Sequence, residues 1–326
     1  MYLTDLPRKV SDWTNEHLQD LGINYHDNST SIQDFTSRLQ RDVRNFKPAV
    51  TDRISQRLNE CTSEIWSSSL NLNDKEFGIH SIDWGIDEIE GSVRRLARMN
   101  ESTLEESDET KKISRVFWAW HIGLLSFLTT LKKFLRKLLK DTRKACFTEL
   151  FKTFTKICLL DPESGEVYTG TKTVKGLEIQ SIPDVRYVSC SDQLQMMMIF
   201  STEVTKDDAF RGEFSNDTFC YENLSTQILG QHGIKLLIEA QNSCFWPRVA
   251  GVICVGTKVI FTYLDISKKH LERLTKKTSI LDSEASILYT RPYDFLNQID
   301  RKDMLKLLFW FGYVQTGGYE LYVAEK

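Results

Sequence analysis

The sequence predicts an α/β chain in which a helical N-terminal region is followed by a mixed sheet flanked by helices. Three observations carry this. Up to about residue 158, apolar residues recur at spacings of three and four, the period of an amphipathic helix. At Pro162 and Gly165 the stretch DPESGEVY has turn chemistry. Beyond it the apolar residues fall into short runs of strand length. The expected domains are a helical region over 1–110 and an α/β domain over 111–326 that opens with a long helix.

The elements follow in order. Ser11-Asp12-Trp13 opens a short helix. TSIQDFTSRLQRDVRNF places Ile32, Phe35, Leu39 and Val43 on one helical face, and Pro48 then interrupts the chain. TDRISQRLNECTSEIW aligns Ile54, Leu58, Cys61 and Ile65 in the same way. NLNDKEFG reads as a loop, DEIEGSVRRLARM as a helix and MNESTLEESDETKK as an acidic linker. A strong helical block covers about 112–158. LEIQSI, VRYVSC and LQMMMIFSTEV read as strands, and NLSTQILGQHGIKLLIEAQNS as a helix starting near Asn223. RVAGVICVGTKVIFTYLDI reads as two strands around a Gly256-Thr257 turn. The tail adds one more strand and a helix.

Composition narrows the function. Hydrophobic residues make up 41% and charged residues 27% of 326, the balance of a globular chain. The net charge of −3 gives no global basic field toward nucleic acid. Basic residues do gather locally, at Lys132, Lys133, Arg136, Lys137, Lys140, Arg143 and Lys144. They read either as the solvated face of a core helix or as a phosphate-facing surface. The seven cysteines include no C-x-x-C, so zinc is not indicated and reduced thiols are expected. MYLTDLPRKVSDW lacks the apolar core of a secretory signal. An intracellular location, cytoplasmic or nuclear, is therefore expected, with the sequons at Asn28, Asn100, Asn216 and Asn223 unused. Residues 116–131 are uncharged but shorter than the ~20 residues of a membrane span, and they read as a buried or partly buried helix, with a membrane contact as the alternative. Motifs of P-loop NTPases, dinucleotide-binding enzymes, zincins and α/β-hydrolases are absent.

The chemistry-bearing stretch is PDVRYVSCSDQLQMMMIFSTEVTK, residues 183–206. Asp184 opens one strand, Glu203 lies near the end of the next, and Lys206 follows. Phosphodiester hydrolysis needs an activated water, a polarised phosphorus centre and a stabilised leaving oxygen. Magnesium or manganese held by two or three carboxylates can meet all three needs. A lysine beside them can neutralise charge that develops on the phosphate. Met196, Met197 and Met198 read as core, and His232 as a local hydrogen-bonding residue.

These residues resemble the PD-(D/E)XK nuclease superfamily, whose fold is restriction-endonuclease-like. The core of that fold is a helix, three strands, a second helix and another strand. The order read over roughly 140–266 is similar. The resemblance implies that Asp184 and Glu203 bind the ion, with Glu149 contributed by the preceding helix. It also implies that Lys206 takes the lysine role and that Gln227 and Gln231 face the site. The family spacing is E-x-K, whereas this chain has Glu203-Val204-Thr205-Lys206. Strand alternation puts Thr205 on the face of Glu203 and Lys206 on the other. A bulge, or a lysine from elsewhere such as Lys235, would restore the charge.

Two functions follow from this reading. One is a metal-dependent phosphodiesterase acting on DNA or RNA. The other is a non-catalytic nuclease-like scaffold that binds protein or nucleic-acid partners. The scaffold would use the N-terminal amphipathic helices and the aromatic block at Phe117, Trp118 and Trp120.

Overall fold

The computed structural model describes residues 6–42, 108–137, 143–164, 168–190, 196–205, 209–211, 218–276 and 285–316, with isolated positions between 86 and 94. The helices read at 51–66 and 87–99 and the loop between them therefore lie essentially outside the described residues, as does Lys206. The chain divides into two compact units. One comprises residues 1–45, 163–188 and 192–293, and the other 46–162, 189–191 and 294–326.

The first unit is built on a mixed sheet. Its strands are β1 (Ile23–Tyr25), β2 (Pro162–Ser164), β5 (Val185–Cys190), β6 (Met196–Thr205), β7 (Val249–Val255), β8 (Lys258–Asp265), β9 (Ala285–Tyr289) and β10 (Tyr293–Asp294). They run β1-β9-β8-β7-β6-β5-β2, with β10 paired to β8. β6 and β7 are parallel, as are β1 and β9, whereas β7–β8 and β8–β9 are antiparallel. VAGVICV is buried at every position of β7, as a near-continuous apolar run at the centre of a sheet requires. The Gly256-Thr257 turn forms as expected. Val255 pairs with Lys258, and Gly256 has a φ of 61° that a glycine adopts without strain.

β3 (Gly170–Val174) and β4 (Leu177–Ser181) form a separate two-stranded hairpin. Both residues of its turn, Lys175 and Gly176, have positive φ, the geometry that suits a two-residue hairpin. LEIQSI is thus a strand but not one of the main sheet, and β2 takes that edge from within the stretch read as a turn. β3 is polar and alternating, so its sequence carries no apolar run.

The expected helical region over 1–110 needs a correction where it is described. Ile23–Tyr25 form a strand parallel to β9, with Ile23 and Tyr25 inward and Asn24 outward. Three residues are too few to show a period in the sequence. The helix expected at Ser11-Asp12-Trp13 is reduced to one turn that ends before Trp13, and the amphipathic helix expected after it is present, with Val43 outside the described residues. A 3-10 turn spans Val10–Asp12. Helix α1 (Asn15–Gln19) follows, and α2 (Ile32–Asp42) buries Ile32, Phe35 and Leu39.

Helix α5 (Thr226–Glu239) packs between α1 and the sheet, starting at the Ser225 cap, whose side chain accepts from the Ile228 amide. A Cβ on Gly230 would lie 2.3 Å from the Thr14 carbonyl carbon, and one on Gly233 2.3 Å from Leu18 Cδ1. These two glycines let α1 approach. The core joins Trp13, Leu18, Ile234, Leu237, Ile253, Ile260 and Ile287. Helix α6 (Lys268–Thr275) follows β8.

The second unit contains α3 (Asp108–Lys137), α4 (Lys144–Lys156) and α7 (Gln298–Gln315). α3 begins inside the stretch read as an acidic linker. Its pairing with α4 is antiparallel: Phe134 meets Phe147 at 5.3 Å and Phe127 meets Phe154 at 5.5 Å between ring centroids. Phe295 stacks on Phe154 at 4.7 Å. Gln315 exchanges two hydrogen bonds with the Asp161 backbone, at 2.9 and 2.8 Å. No helix among the described residues is long and apolar enough to cross a membrane.

Candidate functional site

Asp184 stands one residue before β5, where its backbone N–H donates to the Thr202 carbonyl of β6 at 3.2 Å. Its carboxylate Oδ2 accepts from the Val204 N–H at 2.8 Å. The two bonds straddle Glu203, so the loop before β5 holds Asp184 against the backbone that carries Glu203.

Glu203 pairs in register with Ile253 of β7 and is buried. Its carboxylate forms an ion pair with the Lys235 ammonium of α5. The side chains are 6% and 11% exposed, so this pair sits away from bulk water. Lys235 therefore supplies a positive charge beside Glu203, which the E-x-K spacing does not.

One turn along α5 from Lys235, Glu239 pairs with Arg186, which is two residues along from Asp184. The Arg186 Nη2 donor lies 3.3 Å from Glu239 Oε2, and both side chains are buried. The Arg186 guanidinium also lies over the Tyr168 ring at 3.5 Å. Asn242 donates to the Tyr168 hydroxyl at 2.9 Å. Burial raises the Glu239 carboxyl above its ordinary pKa, against the opposing pull of Arg186 and Asn242. Two buried ion pairs thus tie α5 to adjacent strands. Positions i and i+2 of a strand share a face, as do i and i+4 of a helix.

His232 lies a turn before Lys235. Its Nε2 is 2.6 Å from the Thr262 hydroxyl of β8. Burial, reinforced by Lys235, depresses its pKa to about 3. A neutral imidazole bonded to a core hydroxyl agrees with the local role expected for it.

The other expected residues have separate environments. Gln227 and Gln231 donate their amides to the Ser11 carbonyl, at 2.8 and 2.9 Å, and so hold the N-terminal turn on α5. Glu149, on α4 of the helical unit, is largely exposed and pairs with Lys152 at 3.8 Å. Among the described residues no three His, Cys, Asp or Glu side chains gather as a metal cluster. The Asp184 and Glu203 carboxylates lie on neighbouring segments, the first bonded to the Val204 N–H and the second paired with Lys235.

Sequence reasoning named Lys235 only as a substitute lysine and passed over Arg186 and Glu239. A signal for the latter two was present. An arginine inside VRYVSC and a glutamate closing the apolar run IKLLIE are charges where the pattern predicts burial, and buried charges are paired. No family model, no curated protein and no solved structure matches this chain.

Proposed function

We propose that this chain is a metal-dependent phosphodiesterase of restriction-endonuclease-like fold acting on DNA or RNA. Asp184 and Glu203 are its acids, and Lys235 replaces the lysine missing from the E-x-K spacing. The observation that carries the reading is the Glu203–Lys235 ion pair beside Asp184, whose carboxylate is bonded to the Val204 N–H. The chain order supports it: α4, then β2, β5 and β6 of the sheet, then α5, then β7 parallel to β6.

Asp184 and Glu203 would hold magnesium or manganese, which when bound polarises a phosphoryl oxygen and acidifies a bound water. Lys235 balances the charge of Glu203 and would stabilise negative charge arising on a bound phosphate. The Val204 amide orients Asp184.

The test is cleavage of single- and double-stranded DNA and RNA with magnesium or manganese. Wild type should cleave, and Asp184→Asn and Lys235→Met should lose activity by ~10²-fold or more. Either ion should raise the melting temperature of wild type but not of Asp184→Asn with Glu203→Gln. Folded wild type that neither cleaves nor responds to either ion refutes the reading.

A second reading has its own observation. Glu203 and Lys235 are both nearly buried, as structural ion pairs are. A nuclease-like scaffold that binds partners without hydrolysis would keep that pair for fold specificity. It predicts a Lys235→Met variant that is destabilised, with no cleavage by wild type.

A further inference from the structure

We propose that Trp246, with Lys268 over its ring and Lys269 next along the helix, is a docking point for single-stranded nucleic acid. The indole stacks on a base and the two ammonium groups meet phosphates of the same strand. The inference deepens the phosphodiesterase reading by naming the strand type that is held, and it rests on that reading only for calling the strand a substrate.

Trp246 lies in the turn that leads into β7. Its neighbour Phe245 is buried and packs on Tyr263, with ring centroids 6.0 Å apart. The Trp246 N–H donates to the Ser243 carbonyl at 3.1 Å and the Arg248 N–H to the Phe245 carbonyl at 3.0 Å, so the backbone is held on both sides. Trp246 itself is 51% exposed, whereas Trp13, Trp120 and Trp310 are buried. The ammonium of Lys268, the first residue of α6, lies 5.4 Å from its ring centroid. Lys269 follows and is exposed.

A single exposed tryptophan is ordinary on a protein surface. The charges beside this one are not accounted for by the fold. Two lysines in the first turn of α6 oppose the helix dipole, and no acid stands in that turn to offset them. Among the described residues neither lysine forms an ion pair. Asp265, at the end of β8, is held by Arg38 and by Arg248, the latter at 2.7 Å. Glu272 is exposed further along α6. Four cations, Arg38, Arg248, Lys268 and Lys269, thus stand against two acids here. A membrane-surface helix keeps an apolar face free, but α6 buries Leu271 and Leu274 in the core. The other exposed large apolar residues, Ile122, Ile182 and Ile299, lie on neither α6 nor this turn. The cores of protein–protein interfaces are depleted in lysine. A single strand uses both features, because every base has a π face and every nucleotide a charge. A duplex keeps its bases stacked on one another.

The experiment uses the full chain in the Asp184→Asn background, so that binding is measured without cleavage. Fluorescent single-stranded DNA and RNA oligonucleotides and the matching duplexes are titrated at several salt concentrations. The fold of each variant is checked by circular dichroism and melting. Trp246→Ala should weaken single-strand binding by about 5- to 150-fold, the cost of one lost base stack, and Trp246→Phe should recover part of it. Lys268→Gln with Lys269→Gln should flatten the slope of log affinity against log salt by about 1.4, the share of two phosphates on a single strand. Lys276→Gln, at the far end of α6, should bind as the parent does. A parent that binds no oligonucleotide, or binds duplexes as tightly as single strands, overturns the proposal. So do single-strand affinity and salt slope that neither Trp246→Ala nor the paired lysine substitutions change. Binding to phosphatidylserine–phosphatidylcholine vesicles that Trp246→Ala loses while its oligonucleotide binding stays intact also overturns it and assigns the surface to a membrane. Binding lost by these variants, in a protein whose wild type never cleaves, upholds the surface and refutes only the catalytic reading.

Discussion

Replacing Lys235 by methionine keeps an unbranched side chain one atom shorter and removes its charge. In the folded protein Glu203 is 6% exposed and its ammonium partner 11%, so the substitution strands a carboxylate away from water. Breaking a buried ion pair from one side costs about 3–5 kcal/mol, because the remaining charge is desolvated and uncompensated. For a domain of about 150–250 residues each kcal/mol moves the melting temperature by roughly 2–4 °C. Lys235→Met should therefore lower it by between about 6 and 20 °C. Glu203→Gln should also destabilise. Lys235→Met combined with Glu203→Gln should recover part of the loss, since neither charge is then left alone. The coupling in this double-mutant cycle should reach about 2 kcal/mol or more. Magnesium adds a second readout. If Glu203 accepts a cation, magnesium at a hundredfold excess over its dissociation constant for Lys235→Met should restabilise that variant by ~2.7 kcal/mol, and wild type by less. Thermal and urea unfolding measure all four proteins. Additive single losses, or a Lys235→Met protein that melts with wild type, would show that the pair is not the buried unit described.

His232 should make the fold acid-sensitive. Its pKa falls from the ordinary histidine value to about 3 on folding, so the unfolded chain binds the extra proton between those values. Its stabilising contribution is complete above about pH 6.5. It is lost at up to about 1.4 kcal/mol per pH unit as pH falls toward the folded value. His232→Gln should flatten that part of the urea-midpoint profile, and an unchanged acid limb would remove His232 as its cause. Gly230→Ala should destabilise by about 1–3 kcal/mol, because the new methyl meets the Thr14 backbone and α1 must shift; a wild-type melting temperature would contradict this packing. Arg186→Met removes the largest attraction that opposes burial at Glu239. The carboxyl titration of Glu239, followed by carbon NMR, should then move further upward, and no movement would count against the pairing.

Much of the fold was legible because its elements repeat a period. The apolar faces of α2, α3 and α4, the runs of β7 and β8, and the turn at Gly256 are local patterns, and each element forms where its pattern lies. β1, β2 and β3 were not legible. β1 and β2 have three residues each and β3 is polar, and such segments become strands because a neighbour completes their hydrogen bonds. The candidate site divides the same way. Asp184 and Glu203 stood out as acids at strand ends. The partner of Glu203 did not, because Lys235 is 32 residues further along the chain and reaches it only when α5 packs on the sheet. Arg186 and Glu239 are 53 residues apart and meet for the same reason. The sequence by itself determined which segments are amphipathic and where charges interrupt apolar runs, since both depend on near neighbours. Which charges neutralise each other was decided by the tertiary structure alone, because burial makes the choice of partner costly only after distant segments have packed.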